Sequence, residues 1–405
     1  FISIFTVFVQ YYDYHLFGFL AANIAAHFFP AEGVVTQLLN TYLLMMIAMI
    51  AKPIGAIILG KIGDIHGRSN SFKLSILGST IASTTLFIVP SYESIGLLSA
   101  FILLLYRMMI CACVTSGSDG VRIYIYEHID KSRQCLGVGI TTLFTQAGSL
   151  LAISSAWFFT RDTLPDYSWR FAFLLGGGLG FLLLIIMKIT NFTDSKQVQL
   201  NSEFEKFHNV SLSTIVKSNW KLVFLCLVLA GGIGSTNQFL LVFFYTYNFK
   251  ILHTTDRATM QLYILLAIIA YMFGSIIGGY IADKFGRYKI SVIAAFAAII
   301  CAIFLCVSLS ARVMNPWIFI TLSFIMPFLT MPAAAIFKQS IPVAIRYRLF
   351  SISHAIGSII ISAPTAFIST LLYYKTNIAW LPVSYFILAI ILISSSLYHL
   401  NKRVH

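Results

Sequence analysis

Twelve long apolar segments constrain the fold of this chain more than any other feature of its sequence. A helix that crosses the apolar layer of a bilayer needs about 20 apolar residues. Segments of that kind lie near residues 2–29, 36–59, 72–91, 96–121, 136–159, 169–190, 219–247, 259–282, 289–311, 315–337, 349–374 and 377–400. A soluble protein of 405 residues could not bury a chain that is 59% hydrophobic. The sequence therefore predicts an all-α membrane protein with twelve transmembrane helices, which satisfy their backbone hydrogen bonds within the lipid.

The net charge of +13 is distributed unevenly over the predicted connections. If the N-terminus is cytoplasmic, 17 lysines and arginines fall in the inner connections and tail, and six fall in the outer connections. Because such an excess marks the cytoplasmic side, the pattern predicts that both termini are cytoplasmic, in a bacterial inner membrane. It also indicates contact with anionic lipid rather than with nucleic acid. The first residue is Phe1 rather than Met, so we expect the native chain to begin upstream.

A glycine-punctuated, charged stretch follows the second apolar segment and recurs 219 residues later. "GAIILGKIGDIHGR" (55–68) and "GSIIGGYIADKFGR" (274–287) are identical at eight of fourteen positions. Each copy ends the second helix of a predicted six-helix half. The repeat therefore predicts two homologous six-helix bundles, residues 1–190 and 218–405, joined by a cytoplasmic linker, residues 191–217. Paired halves of this kind are typical of transporters with a central binding site.

The repeated stretch has the residues of a cytoplasmic gate. Glycines let helices approach closely and turn tightly, and an Asp and an Arg four residues apart offer opposite charges to neighbouring helix ends. The alternative is an ordinary basic hairpin, which does not explain the same spacing twice. Residues 55–61 also read G-x-x-x-x-G-K, but Ile62 replaces the Ser or Thr of a phosphate loop, so ATP-driven function gains no support. The predicted gate residues are Gly60, Asp64, Gly67 and Arg68 with Asp283, Gly286 and Arg287.

The repeated motif, G-x-x-x-D-x-x-G-R, resembles the signature loop of the major facilitator superfamily. Other stretches are similar to its metabolite:proton symporter branch, which includes proline/betaine, ketoglutarate, citrate and shikimate carriers. They are "QYYDYHLFGF" (10–19), "KPIG" (52–55), Arg107, Glu127, "WRFAF" (169–173) and "IPVAIR" (341–346). The resemblance covers essentially the whole chain. It implies proton-coupled symport by alternating access, with Asp13 as the proton-carrying carboxylate and Glu127 as the partner of Arg68 in the gate.

One departure from the branch concerns its fourth span. The glutamate expected there falls at Gly117, and the nearest carboxylate is Asp119. Two residues along a helix correspond to about 200° of rotation, so Asp119 does not take over the place of that glutamate. Asp119 is the second candidate for the proton site, although Arg122 could neutralise it as a structural pair.

Ionisable residues within a bilayer are costly and mark a pathway by default. Arg107, Ser118 and Arg122 lie on one face at 100° per residue, so one helix could present two cations inward. Guanidinium groups match carboxylates, which favours an anionic or zwitterionic substrate. In the alternative, Arg122 reaches the inner surface and Arg107 pairs with a neighbouring helix. The predicted substrate and proton pathway comprises Asp13, Lys52, Arg107, Asp119, Arg122, Asn237, Gln238 and Tyr245.

Several function classes are compatible with these patterns. A proton-coupled carrier of a small carboxylate-bearing or zwitterionic metabolite explains the repeat, the gate and the buried charges together. A uniporter or an exchanger of such a metabolite is the alternative, and a transport-inactive receptor with the same fold is a further one. Nine scattered histidines form no catalytic or metal-binding set, so we expect neither an enzyme nor a cofactor nor a metal. We expect a monomer whose partners are the substrate, protons and lipid.

Overall fold

A computed structural model describes residues 2–29, 33–66, 68–190, 217–342 and 345–404. Within these ranges the regular secondary structure is helical, with no strand. Eleven helices are long and apolar enough to cross a membrane, and Ile2–Phe19, which continues past a break as Ala21–Phe28, supplies the twelfth apolar helix. The prediction of an all-α membrane protein with twelve long helices is confirmed.

The helices are numbered in chain order. The first half contains α1 (Ile2–Phe19 and Ala21–Phe28), α2 (Val34–Ala48 and Ala51–His66), α3 (Arg68–Ile88), α4 (Leu97–His128), α5 (Gln134–Phe159) and α6 (Phe171–Ile189). The second half contains α7 (Trp220–Gln238, extended to Ile251), α8 (Arg257–Phe285), α9 (Arg287–Ser310), α10 (Pro316–Gln339), α11 (Arg346–Gly357 and Pro364–Thr376) and α12 (Leu381–Val404).

Most packing occurs within a half. In the first half α1 packs on α5, and α3 packs on α4 and α6; in the second half α8 packs on α10, and α7 on α11 and α12. The halves meet where α5 lies against α8, α2 against α11 and α1 against α7. The surface between the halves is therefore built mainly from helices α1, α2, α4 and α5 of one half and α7, α8, α10 and α11 of the other.

Two glycines of the second motif copy have distinct structural roles in α8 and at its end. Gly286 has φ 103°, a conformation that side chains with a Cβ rarely adopt, and it joins α8 to α9. A Cβ on Gly279 would lie 2.7 Å from the carbonyl oxygen of Cys135. The absence of a side chain at residue 279 therefore lets α8 approach the start of α5 directly, as the motif predicts for closely packed helices.

Two helices depart from regular α geometry next to the surface between the halves. Helix α7 widens into π turns over Phe239–Phe243 and Tyr247–Ile251, and α11 does so over Ser358–Ser362. Helix α10 contains Pro327 and Pro332. π turns are frequent at functional sites, and those of α7 begin directly after two polar residues of the site described below.

Candidate functional site

A cavity of about 150 Å³ lies between the two halves. Helices α1, α2, α4 and α5 line one side of it, and α7, α8, α10 and α11 line the other. Tyr271, near the middle of α8, is part of the wall. The cavity therefore extends from the middle of α8 to the last turn of α10, and it includes the depth at which transporters built from two repeats bind their substrates.

Three basic side chains line the cavity. Lys52 comes from α2, Arg122 from α4 and Lys338 from α10. Lys52 and Lys338 are only 7% and 2% exposed, and no carboxylate residue is among the described residues of the cavity wall. Buried cations are expensive unless an anion compensates them, so the site favours a negatively charged ligand.

Asp119 lies just behind this wall and connects the two halves. Its carboxylate is fully buried on α4, and its Oδ2 lies 2.9 Å from Nδ1 of His354 on α11. Its Oδ1 lies 3.6 Å from a guanidinium nitrogen of Arg122 on its own helix. Asp119 therefore contacts one residue from each half, and both of those residues line the cavity.

The polar part of the wall also includes hydroxyl and amide groups. Arg122 donates a hydrogen bond of 2.7 Å to the Tyr11 hydroxyl. Gln238 donates one of 3.1 Å to the Tyr14 hydroxyl, which joins α7 to α1 across the cavity. His15 and Ser149 are hydrogen-bonded between α1 and α5. The site therefore combines cations with donors and acceptors that could orient a small polar solute.

The structure brings five of the eight predicted pathway residues to the cavity. Lys52, Arg122, Asn237 and Gln238 line it, and Asp119 contacts its wall. The other three are Asp13, Arg107 and Tyr245, which lie among buried side chains away from the cavity wall.

Arg107 and Asp13 are buried inside the first half. Arg107 donates to the backbone carbonyl of Tyr14 at 2.9 Å, and its guanidinium lies 4.6 Å from the centre of the Tyr14 ring. The Asp13 carboxylate accepts a hydrogen bond from Ser83 on α3. The predicted shared face of α4 places Ser118 and Arg122 at the cavity. Arg107 does not line the cavity, because it lies 11 residues before Ser118 on the helix and α1 covers it at that point.

Gly117 and Asp119 point in different directions, which confirms the rotation argument. A Cβ on Gly117 would collide with the side chains of Gln10 on α1 and Ser75 on α3. Those two side chains are joined by a hydrogen bond of 2.7 Å. Asp119 faces α11 instead, so it takes a place in the surface between the halves and not in the interior of the first half.

The second motif copy joins the two halves at one end of the cavity. Asp283, at the end of α8, accepts hydrogen bonds from the backbone N–H groups of Cys135 and Leu136 at 3.1 and 2.9 Å. These N–H groups belong to the first turn of α5, where the helix dipole also favours a negative charge. Asp283 pairs with Arg287 at 3.3 Å, and Arg287 donates to the carbonyl of Lys131.

Only part of the first motif copy belongs to the described part of the chain. Gly60 is buried within α2, whereas Gly67 and the side chains of Asp64 and Arg68 lie outside the described part of the chain. Glu127, which the resemblance paired with Arg68, contacts Arg346 of the second half at 3.2 Å. This ion pair lies at the same end of the cavity as Asp283.

Contacts between the halves also close the opposite end. Arg257, at the start of α8, donates a hydrogen bond of 2.8 Å to the side chain of Asn23 on α1. The Tyr245 ring packs edge-on against Phe19 with ring centres 6.3 Å apart. Tyr245 therefore belongs to this end of the molecule, above the cavity, and not to the cavity wall.

Two ionisable residues of the site, Lys338 and His354, are absent from the pathway predicted from the sequence. Lys338 follows the predicted tenth span, 315–337, directly, and in the structure it is the buried penultimate residue of α10. His354 was one of nine scattered histidines. His354 lies within the apolar segment 349–374. An ionisable residue within a membrane span indicates a functional site, and the same criterion selects Asp119.

Comparison with known proteins shows what this chain is similar to. The family model described as Major Facilitator Superfamily matches residues 3–365. A Staphylococcus aureus (strain COL) protein named as a proline/betaine transporter is 26% identical over 391 residues, covering 93% of this chain and 82% of that protein. The citrate-proton symporter of Klebsiella pneumoniae is 24% identical over 385 residues, covering 91% of this chain and 84% of that protein.

Solved structures show the same fold. A crystal structure of a D-xylose-proton symporter superposes with a TM-score of 0.76 at 15% identity, covering 98% of this chain and 95% of that one. The human organic anion transporter MFSD10 gives a TM-score of 0.67 at 10% identity, covering 98% of each chain. These similarities support the fold, and at such identities they carry no information on the substrate.

Proposed function

The chain belongs to the major facilitator superfamily and is a membrane transporter, not an enzyme, and from that premise we propose that it carries out proton-coupled symport of a small carboxylate-bearing or zwitterionic metabolite by alternating access. The observation that carries the proposal is the cavity between the halves, lined by Lys52, Arg122 and Lys338 and by no described carboxylate residue. The names of its relatives, a proline/betaine transporter and a citrate-proton symporter, are consistent with such solutes.

The contacts at the two ends of the cavity support alternating access. At one end Asp283 binds the first turn of α5, and Glu127 pairs with Arg346. At the other end Arg257 binds Asn23. All of these contacts join one half to the other, so opening either end requires breaking only the contacts at that end. A substrate that binds one of the resulting states more tightly shifts the population towards it.

Asp119 is the carboxylate that the geometry favours as the proton site. It faces Arg122 from its own helix and His354 from α11. Any movement of the halves changes its surroundings directly. Asp13, which the resemblance favoured, is bound within the first half by Ser83, so such a movement reaches it only through α1.

The orientation and location belong to the same proposal. The division of lysines and arginines between the connections supports cytoplasmic termini and a cytoplasmic 191–217 linker. Lys338 lines the cavity. Without it, 16 lysines and arginines remain in the predicted inner connections and tail against six in the outer connections, so the excess on the inner side persists. We place the protein in a bacterial inner membrane as a monomer, with residues 1–190 and 218–405 as its two moving units.

The test is transport by purified protein in liposomes. We expect labelled carboxylates or zwitterions to accumulate above equilibrium when the outside is acidic, and we expect a protonophore to abolish the accumulation. Arg122→Gln should reduce uptake at least about tenfold, because it removes a charged hydrogen bond donor from the cavity. Lys188→Gln, an exposed cation at the end of α6, is the matched control. Uptake that only equilibrates would instead support a uniporter or an exchanger, and no uptake with intact binding would support a receptor.

A further inference from the structure

Lys52 and Lys338 face the same cavity from opposite halves of the molecule. Within the described part of the chain, no carboxylate oxygen lies within 4.0 Å of either ammonium group. Each ammonium group lies over an aromatic ring. The Lys52 Nζ lies 5.3 Å from the centre of the Tyr14 ring, and the Lys338 Nζ lies 5.4 Å from the centre of the Tyr126 ring.

Aromatic contacts do not compensate two buried charges. A cation over an aromatic ring gains about 0.5 to 2 kcal/mol, whereas removing an ammonium group from water costs several kcal/mol even after the protein relaxes. Both lysines line the cavity. An anion held in the cavity would therefore supply the interaction that the protein does not.

The charges around the cavity set the valence of that anion. Lys52, Arg122 and Lys338 contribute three positive charges, and Asp119, in contact with Arg122, contributes one negative charge. With both lysines protonated and the histidines neutral, two positive charges remain while Asp119 is ionised, and three remain when Asp119 carries a proton. A ligand with two negative charges neutralises at least two of them, whereas a zwitterion such as a betaine leaves the net charge of the site unchanged.

We propose that the substrate is a small dicarboxylate, with one carboxylate bound by Lys52 of the first half and the other by Lys338 of the second half. This inference rests on the proposed function and narrows its substrate class. The size of the cavity, about 150 Å³, agrees with a short dicarboxylate, because a cavity of similar volume in another protein holds a molecule of about the size of benzene.

The position of the two lysines lets the second carboxylate of the ligand link the two halves of the protein. A dicarboxylate bound between Lys52 and Lys338 joins α2 of one half to α10 of the other. A monocarboxylate neutralises one lysine and leaves the other half without an anionic partner. A dianion can therefore bind both halves at once and stabilise the state in which they are joined around the cavity, and a monoanion stabilises that state less.

The experiment compares succinate with succinamate, a monoanion of nearly the same shape, in binding and liposome uptake assays. We expect the wild-type protein to prefer succinate at least about tenfold, since each charged hydrogen bond is worth about 1.5 to 3 kcal/mol. In Lys52→Met and in Lys338→Met the preference should fall to near one. Lys188→Met, with an exposed lysine at the end of α6, should keep the wild-type ratio.

The outcomes separate this inference from the proposed function. Transport of a monocarboxylate or a zwitterion with no preference for succinate would overturn the dicarboxylate assignment and leave carboxylate transport standing. Transport of no carboxylate or zwitterion at all would overturn both. If Lys52→Met or Lys338→Met does not fold, Lys52→Arg and Lys338→Arg keep the charge and should retain the preference, and a loss of the preference in both folded Arg variants would contradict the proposal.

Discussion

Asp13 and Asp119 are two buried carboxylates in two different kinds of surroundings. Asp13 lies in the interior of the first half, where Ser83 donates to one oxygen and the other oxygen has no hydrogen-bond partner among the described residues. Asp119 lies in the surface between the halves, where it contacts His354 of the second half. Both are shielded from water, but only Asp119 has neighbours from both halves of the molecule.

This difference shows why burial alone does not identify a coupling residue. A carboxylate inside one half keeps the same neighbours when the halves move as units, so its affinity for a proton has no direct reason to change. A carboxylate that loses a contact when the halves separate changes its surroundings in every transport cycle. Linkage between proton binding and conformation requires such a difference.

The largest expected effect is that of Asp119→Asn. The amide mimics the permanently protonated acid, so uphill accumulation driven by a pH gradient should fall to the equilibrium level. Exchange of substrate should remain within a few-fold of wild type, because the cations of the cavity wall are retained. Accumulation and exchange are measured in liposomes, with Asp162→Asn, an exposed aspartate, as control. Normal accumulation by the variant would remove Asp119 from the coupling role.

An intermediate effect is expected from His354→Gln. Glutamine keeps a donor but changes the reach of the contact with Asp119 across the two halves, at a cost of about 1 kcal/mol, the net contribution of an ordinary hydrogen bond. The transport rate should fall about fivefold, with accumulation still dependent on pH. Initial rates at several substrate concentrations check this. A rate equal to that of wild type would show that the contact between the halves is not used in the cycle.

The smallest effect on coupling is expected from Asp13→Asn. Ser83 can still donate to the remaining carbonyl oxygen, so pH-driven accumulation should stay within about twofold of wild type, while the purified protein loses about 1 kcal/mol of stability. Accumulation and thermal unfolding are compared with those of Asp162→Asn. If accumulation is lost and exchange remains, the proton carrier is Asp13, as its resemblance to the family motif predicts, and not Asp119.

The sequence by itself determined the number of long helices and their membrane environment, and its internal repeat predicts two related halves. Each of these depends on features that act locally or repeat along the chain. Apolar length decides whether a segment can cross a bilayer, and a motif repeated after 219 residues reports an ancestral duplication whatever the helices contact. The glycines of the motif likewise predicted a close approach between helices, because a missing Cβ is a property of the residue, and the structure identifies the partner of Gly279 as α5.

Only the tertiary structure decided which charges belong to the cavity. Arg107 and Arg122 lie on one face of α4, yet α1 covers the first, and the second reaches the cavity wall. Lys338 and His354 are far from Lys52 and Asp119 in sequence and meet them only where the halves pack together. Helical periodicity gives the direction of a side chain but not the neighbour that it meets, because that neighbour is set by the packing of helices distant in the chain.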